Sequence, residues 1–221
     1  MTKSPDGGVA HEDQVYYRPG RLRTYDLLIL RLSNSLLWRC PTSLQLQHYD
    51  RNISAKHLDI GPGSGYYLDH CTFPETPSIS LLDLNPSPLE FVSRRISRYA
   101  PRKIVADICK PGLEIGQEFT SVALNYVMHC LPDQDGDREA TFANIRNTLV
   151  PGGLFFGSTV MGKGVHHTPF SRRVNEKYNQ IGAFHNRNDS PERLERLLSA
   201  QFEKCEIRLH GAVALFSATA A

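Results

Sequence analysis

The chain has 221 residues, a length that suits one domain with a small cap and leaves little room for two full domains. Hydrophobic residues make up 40% and charged residues 22%, so a packed core is feasible and global disorder is disfavoured. The 25 Lys and Arg against 23 Asp and Glu give a net charge of +2, which disfavours an electrostatic nucleic-acid binder or a membrane-surface protein.

The cysteines and the apolar runs bear on the compartment. Five scattered cysteines without a CxxC pair disfavour a disulfide framework or a structural zinc site and indicate a reducing environment. The polar start of the chain lacks the apolar core of a signal peptide, and the richest apolar run, 27–37, is too short and too polar to cross a bilayer. We therefore predict a cytoplasmic protein.

The first elements in chain order are helical. Residues 1–20 are charged, contain paired glycines and have no apolar period, which predicts a flexible arm. Residues 21–38 carry apolar side chains at helical spacing, and a second helix capped by Thr42 or Ser43 follows. Residues 21–55 are therefore predicted to form a helical cap before the sheet.

The body of the chain alternates between short apolar strands and helices. This alternation predicts an α/β fold with a doubly wound, mostly parallel sheet and helices on both faces. The helices are predicted at 86–99 and 137–149, with a turn at 151–153. The strands are predicted at 56–61, 78–85, 102–107, 119–127 and 154–160.

The last third of the chain differs. Residues 161–189 are polar and aromatic, with a short helix predicted near 171–180. Ser190 and the proline after it begin a clear helix. Two strands then meet at His210–Gly211, which predicts a hairpin that closes the sheet with an antiparallel edge.

The sharpest motif is the glycine-rich segment LDIGPGSGYYL at 58–68, at the carboxyl end of the first strand. Such a loop is the usual nucleotide site of an open α/β sheet. Tyr66 stands where the dinucleotide fingerprint needs Gly or Ala, and the Gly-Lys-Ser/Thr ending of a phosphate loop is missing. A nucleoside without phosphates therefore fits better. Its candidate residues here are Asp59, Gly61, Gly63 and Gly65.

Acidic and amide residues end the next strands. Asp83 ends the second strand and could accept hydrogen bonds from both ribose hydroxyls, since Asn85 supplies the helix cap more naturally. Asp107 could accept from an adenine amine while Ile108 packs on the purine, although a simple turn role for Asp107 is nearly as good. The fourth strand ends at Asn125–Tyr126.

Together these strand ends resemble the class I S-adenosylmethionine-dependent methyltransferases, compact small-molecule type. The motifs are LDIGPGSG, LLDLN, VAD, VALNYVMHCLPD and LVPGGLFFGST, and the resemblance extends over about residues 21–221. It implies a Rossmann-like, seven-stranded sheet with an antiparallel C-terminal edge strand. It also implies S-adenosyl-L-methionine as the cofactor and an O, N or S atom of a small molecule as the methyl acceptor, in specialised metabolism.

The resemblance places the site residues as follows. His129 is the candidate general base, because it lies just beyond strand four and titrates near neutrality; a packing role for it is equally good. The segment 161–189 is a candidate substrate lid, with substrate residues Trp38, His129, Met161, His166 and Tyr178. The cofactor residues are Tyr25, Asp59, Gly61, Gly63, Gly65, Asp83, Leu84, Asp107, Ile108, Asn125 and Tyr126.

Other partners are disfavoured. Strand four lacks the prolines of enzymes that methylate nucleic-acid amines, and His166–His167 lack the second ligand pair of a zinc site. We expect a monomer or homodimer that binds neither nucleic acid nor membrane and holds no metal. Two alternatives stay open: a methyltransferase-like protein that binds the cofactor without methyl transfer, and a nicotinamide oxidoreductase, which Tyr66 disfavours.

Overall fold

The structure, a computed structural model, describes residues 34–116, 118–134 and 136–221. The predicted arm at 1–20, Tyr25 and most of the predicted first helix lie outside the described residues.

A seven-stranded sheet forms the centre of the fold. Its order is β3-β2-β1-β4-β5-β7-β6, with β1 to β5 parallel and β7 antiparallel to both of its neighbours. This confirms the predicted Rossmann-like fold with an antiparallel C-terminal edge. The strands are β1 Lys56–Ile60, β2 Ser78–Asp83, β3 Arg102–Val105, β4 Phe119–Asn125, β5 Leu149–Val160, β6 Glu203–His210 and β7 Val213–Thr219.

Helices cover both faces of the sheet. Neighbouring residues of β5 point to opposite faces of the sheet. Phe155 belongs to the hydrophobic core on one face, together with Phe142 and Leu194. Phe156 belongs to the core on the other face, together with Tyr49 and Leu89. The helices are α1 Thr42–Asn52, α2 Tyr66–His70, α3 Pro86–Arg95, α4 Asp137–Asn147, α5 Pro169–Gln180 and α6 Pro191–Ser199, with short 3-10 turns at Ser97–Tyr99 and Met128–Cys130.

Local boundary signals were confirmed in three places. Asn85 caps α3 by accepting from the Ser87 N–H, and Ser190 caps α6 by accepting from the Arg193 N–H. Gly211 turns the final hairpin with φ of +60°. At these positions a single side chain or glycine determines the local backbone, so short-range sequence is sufficient.

Two local predictions were wrong. The capping of α1 by Thr42 or Ser43 does not occur, because the helix begins at Thr42 and no side chain caps it. The turn predicted at 151–153 lies inside β5, which starts at Leu149. The strand continues through residues 151–153 because its pairing with β4 shifts register there and Gly152 adopts a positive φ.

Candidate active site

Three parallel strands end side by side at one edge of the sheet. Ile60 of β1 is level with Leu82 of β2 and with Leu124 of β4. Gly61, the next residue of the central strand β1, therefore lies between the ends of β2 and β4, and its N–H donates to the Leu82 carbonyl at 2.8 Å. The glycine-rich loop thus starts between the two strands that end in Asp83 and Asn125.

The three glycines of this loop serve different purposes, although all have positive φ, between +56° and +72°. A Cβ on Gly61 would lie 2.4 Å from a methyl carbon of Val127, and one on Gly65 would lie 2.7 Å from a methyl carbon of Val92. Around Gly63 there is nothing within 4 Å. Gly61 and Gly65 therefore permit close packing within the chain, whereas Gly63 borders open space.

Asp83 lies at the open edge beside this loop. One of its carboxylate oxygens accepts from the Asn85 N–H at 2.8 Å, and partial burial raises the pKa of the carboxyl group. The next side chain, Leu84, is 69% exposed. A carboxylate followed by an exposed apolar side chain can bind a ribose hydroxyl and pack against a flat base.

The residues after β3 are placed less favourably for a ligand. The exposed Asp107 accepts from the Cys109 N–H at 2.9 Å, which is the geometry of a turn residue. Ile108 is 5% exposed and packs in the core with Leu82. Their cofactor contacts stay predictions.

The end of β4 holds an unpaired polar group. The Asn125 side chain accepts from the Ser158 hydroxyl at 3.0 Å, while its buried Nδ2 has no hydrogen-bond partner among the described residues. Tyr126 follows with φ of +56°, a conformation that costs free energy for a non-glycine residue. An orphaned buried donor and a strained residue at one strand end are typical of a ligand site.

Asp59 lies deeper than the other predicted cofactor residues. It is 4% exposed and accepts from the Tyr49 hydroxyl at 2.6 Å; burial raises the pKa of this carboxyl group to about 7. The same hydroxyl lies 3.0 Å from Nε2 of His57, whose Nδ1 lies 2.8 Å from the Ser121 hydroxyl. This buried network holds β1 in place just before the glycine-rich loop begins. Sequence reasoning missed Tyr49 and His57.

One arginine of α3 supports the loop from the side. The Arg95 side chain faces the protein rather than solvent, since it is only 19% exposed. Arg95 donates to the Ser64 carbonyl at 3.0 Å and to Asp69 at 2.9 Å. Arg98, on the 3-10 turn that follows α3, donates to the same carboxylate at 2.8 Å, so the two arginines tie α3 and this turn to α2.

An aromatic cluster lies beyond the ends of β4 and β5. Phe184, which sequence reasoning missed, is central to it: its ring centroid lies 4.3 Å from that of His129, 4.9 Å from Tyr178 and 6.1 Å from Trp38. We call these four residues the aromatic wall. Of the other predicted substrate residues, Met161 is buried in the core and His166 is exposed.

The segment that carries Phe184 is fixed to the sheet by buried polar contacts. Asn186 donates to the Val160 carbonyl at 2.9 Å and accepts from Asn179 at 2.7 Å. Arg138, whose side chain is 1% exposed, lies 3.3 Å from the fully buried Asp189 carboxylate. Arg138 also donates to the carbonyls of residues 131, 132 and 185.

His129 is packed as a neutral side chain. It is 2% exposed, and its Nδ1 accepts from the Val160 N–H at 3.3 Å. Burial, with a smaller contribution from the charge of Arg138, lowers the pKa of His129 to about 3. A group with so low a pKa holds a proton weakly, which favours the packing role over the general-base role.

The depressed pKa of His129 predicts a pH dependence of stability. Between its ordinary value of 6.5 and about 3, the unfolded chain binds a proton that the folded chain does not. The stabilisation is therefore complete above pH 6.5 and is lost as the pH falls towards 3. In a His129→Gln variant, the free energy of unfolding should depend less on pH, by up to about 1.4 kcal/mol per pH unit. Urea unfolding at several acidic pH values measures this, and parallel curves would contradict the assignment.

Two classes of feature are missing from the described ranges. Within residues 34–116, 118–134 and 136–221, no helix has the length and apolar character needed to span a membrane. In the same ranges, no group of three or more His, Cys, Asp or Glu side chains is arranged to hold a metal ion.

The fold and this edge of the sheet define the class. A parallel sheet with an antiparallel seventh strand, a glycine-rich loop after β1 and an acid after β2 are the features of a class I S-adenosylmethionine-dependent methyltransferase. The chain fits that cofactor, because the open space at Gly63 and the orphaned Asn125 amide lie at the edge where an adenosyl group would bind.

Comparison with known proteins gives the family. A family model described as a methyltransferase domain matches residues 58–155. The physcion biosynthesis cluster O-methyltransferase of Aspergillus chevalieri is 35% identical over 204 residues, covering 91% of this chain and 92% of that protein. Demethylluteothin O-methyltransferase of Streptomyces thioluteus is 31% identical and covers 94% of this chain and 90% of that protein. The chain belongs to this methyltransferase family and is an S-adenosylmethionine-dependent enzyme.

Solved structures share the fold at low identity. The N-methyltransferase NodS of Bradyrhizobium japonicum in complex with S-adenosyl-L-homocysteine matches with a TM-score of 0.57 and 15% identity, over 80% of this chain and 84% of that chain. Human N-acetylserotonin methyltransferase in complex with S-adenosylmethionine matches with a TM-score of 0.63 and 19% identity, over 96% of this chain and 60% of that chain.

Proposed function

We propose that the enzyme transfers a methyl group to an oxygen or nitrogen atom of a small organic molecule. The observation that carries the proposal is the open space at Gly63, between the strand ends of Asp83 and Asn125. The 3-10 turn that follows the second of these strands carries His129 of the aromatic wall. Relatives named O-methyltransferases, and an N-methyltransferase of Penicillium aethiopicum that is 34% identical, support this acceptor class.

In the proposed arrangement, the residues of this chain position the reactants. Asp83 accepts from the ribose hydroxyls, and Leu84 packs against the adenine. Gly63 allows the backbone to approach the ligand closely. When bound, the cofactor supplies a methyl group activated by its sulfonium, so the protein mainly contributes alignment and the exclusion of water. Tyr178 and Phe184, the partly exposed members of the aromatic wall, supply an apolar surface on the acceptor side, with the two buried members packed behind them.

The proposed reaction is tested by measuring release of S-adenosylhomocysteine with a panel of phenols, carboxylic acids and amines. Product with a small molecule and none with DNA, RNA or protein supports the proposal. Tight cofactor binding without turnover on any acceptor would contradict it. Turnover of the His129→Gln variant tests the general-base role predicted for that residue.

Replacing Asp83 with alanine should weaken cofactor binding by about 1–3 kcal/mol, because the ribose hydroxyls lose a charged acceptor. Isothermal calorimetry with S-adenosylhomocysteine measures the effect. The exposed Glu75 provides a matched control, since Glu75→Ala removes a carboxylate outside this edge. Equal affinities for the Asp83 and Glu75 variants would remove Asp83 from the site.

We also propose that the enzyme works in the cytoplasm as a monomer or homodimer, without nucleic acid or membrane. All five cysteines lie among the described residues and are free thiols, which is consistent with a reducing compartment. Light scattering during gel filtration distinguishes the two assembly states, and any larger species would contradict this proposal.

A further inference from the structure

A buried glutamine connects the helical cap with the glycine-rich loop and the end of β4. Gln45 of α1 is 1% exposed. Its Nε2 lies 3.0 Å from the Cys40 carbonyl oxygen and 3.1 Å from the Tyr126 hydroxyl, and its Oε1 lies 2.6 Å from the Tyr67 hydroxyl. No sequence motif pointed to this residue.

The Cys40 carbonyl determines which way the Gln45 amide faces. A carbonyl oxygen only accepts, so the amide atom beside it must be the NH₂ group. The Gln45 oxygen then faces Tyr67, whose hydroxyl must donate to it. The second hydrogen of Nε2 goes to the Tyr126 oxygen, so the Tyr126 hydroxyl is an acceptor in this contact.

It follows that the hydrogen of the Tyr126 hydroxyl is available for another partner. None of the described residues accepts it: the contact that the structure gives this hydroxyl is the one in which Gln45 donates. Tyr126 is partly buried, and a donor that loses contact with water without gaining an acceptor costs free energy, so an acceptor from a ligand is the expected complement.

The position of this hydroxyl identifies the ligand end that it meets. Gln45 joins it to Tyr67, the second residue of the helix that starts directly after Gly65. The residue after Tyr126, Val127, is the one that a Cβ on Gly61 would strike. The Tyr126 hydroxyl therefore lies on the glycine-loop side of the β4 end.

We propose that Gln45 is a positioning residue that directs the Tyr126 hydroxyl as a hydrogen-bond donor to the α-carboxylate of the cofactor's methionyl group. A carboxylate accepts strongly and carries no proton near neutral pH, so it complements a donor of fixed polarity. The inference rests on the proposed placement of the cofactor at the glycine-rich loop.

The test compares two ligands that differ in the methionyl group. S-adenosylhomocysteine carries the α-carboxylate, whereas 5′-methylthioadenosine keeps the adenosine and the sulfur but lacks the amino-acid part. Tyr126→Phe should weaken S-adenosylhomocysteine binding about ten-fold or more, which is the usual cost of losing a hydrogen bond to a charged group. Binding of 5′-methylthioadenosine should stay within about two-fold, because its contacts are unchanged.

The role of Gln45 is tested by a double-mutant cycle. Gln45→Leu should weaken S-adenosylhomocysteine selectively but less than Tyr126→Phe does, since the freed hydroxyl can still rotate towards the ligand. In the Tyr126→Phe background, Gln45→Leu should have no further selective effect, because it acts through that hydroxyl. Tyr99→Phe, on the 3-10 turn before β3, is the matched control and should leave both affinities unchanged.

Each outcome has a definite meaning. A selective loss for S-adenosylhomocysteine supports the inference. Wild-type affinity of Tyr126→Phe for S-adenosylhomocysteine overturns it and points to the methyl acceptor as the partner of the hydroxyl. Equal losses for both ligands also overturn it, because the hydroxyl would then act on the adenosine or on the fold. A wild-type protein that binds neither ligand overturns the proposed cofactor site itself.

Discussion

Replacing Gly63 with valine is expected to abolish cofactor binding, lowering affinity for S-adenosylhomocysteine by more than about 100-fold, or about 2.7 kcal/mol. The physical reason is that nothing lies within 4 Å of the position of its Cβ, so the new side chain enters the space proposed for the ligand. The φ of +56° also disfavours a β-branched residue, which could shift the loop. Calorimetry measures the affinity, and circular dichroism measures whether the fold is retained.

Two further glycine variants separate ligand exclusion from backbone strain. Gly152 has φ of +76° and nothing within 4 Å of its Cβ position, but it lies near the start of β5, at the opposite edge of the sheet. Gly152→Val should therefore show similar strain and normal binding. Gly61→Val should instead lose stability, because its Cβ would lie 2.4 Å from Val127. Normal binding by Gly63→Val would show that this loop does not contact the cofactor.

The parts of the site that were predictable from sequence depend on residues that are close together along the chain. The glycine-rich loop and the acid after β2 stand at strand ends, and parallel strands bring their carboxyl ends to one edge. Periodicity and turn residues were therefore sufficient to predict the α/β fold and the edge, whereas the cofactor followed from the resemblance of these motifs to a known family. The same reasoning predicted the caps of α3 and α6, which depend on one residue each.

The supporting contacts could not be predicted, because they join residues far apart in the chain. Gln45 and Tyr126 are 81 residues apart, and Arg138 and Asp189 are 51 apart. Nothing in the composition around a helix residue indicates which distant hydroxyl or carboxylate it will contact. His129 illustrates the same limit: its position after β4 suggested a base, but its pKa depends on the burial that the distant Phe184 helps to provide.

Replacing Arg138 with leucine is expected to lower the free energy of unfolding by about 3–5 kcal/mol, the usual cost of breaking a buried ion pair by removing one partner. Asp189 would keep its fully buried carboxylate with only Arg193, at 3.5 Å, as a cationic partner among the described residues, and three carbonyl groups would lose their donor. The ring centroid of Trp38, the single tryptophan, lies 6.1 Å from that of Phe184. Tryptophan fluorescence during urea unfolding therefore reports on the aromatic wall.

A surface arginine provides the matched control for this prediction. Arg208 is 59% exposed and pairs with the exposed Glu206, so Arg208→Leu should cost less than about 1 kcal/mol. Burial already raises the pKa of Asp189, and a carboxyl group with a raised pKa stabilises the fold at low pH and loses that contribution as the pH rises. The loss caused by Arg138→Leu should therefore be smaller at acidic pH, where Asp189 takes up a proton. Equal losses for the two leucine variants at neutral pH would show that Arg138 does not hold the aromatic wall in place.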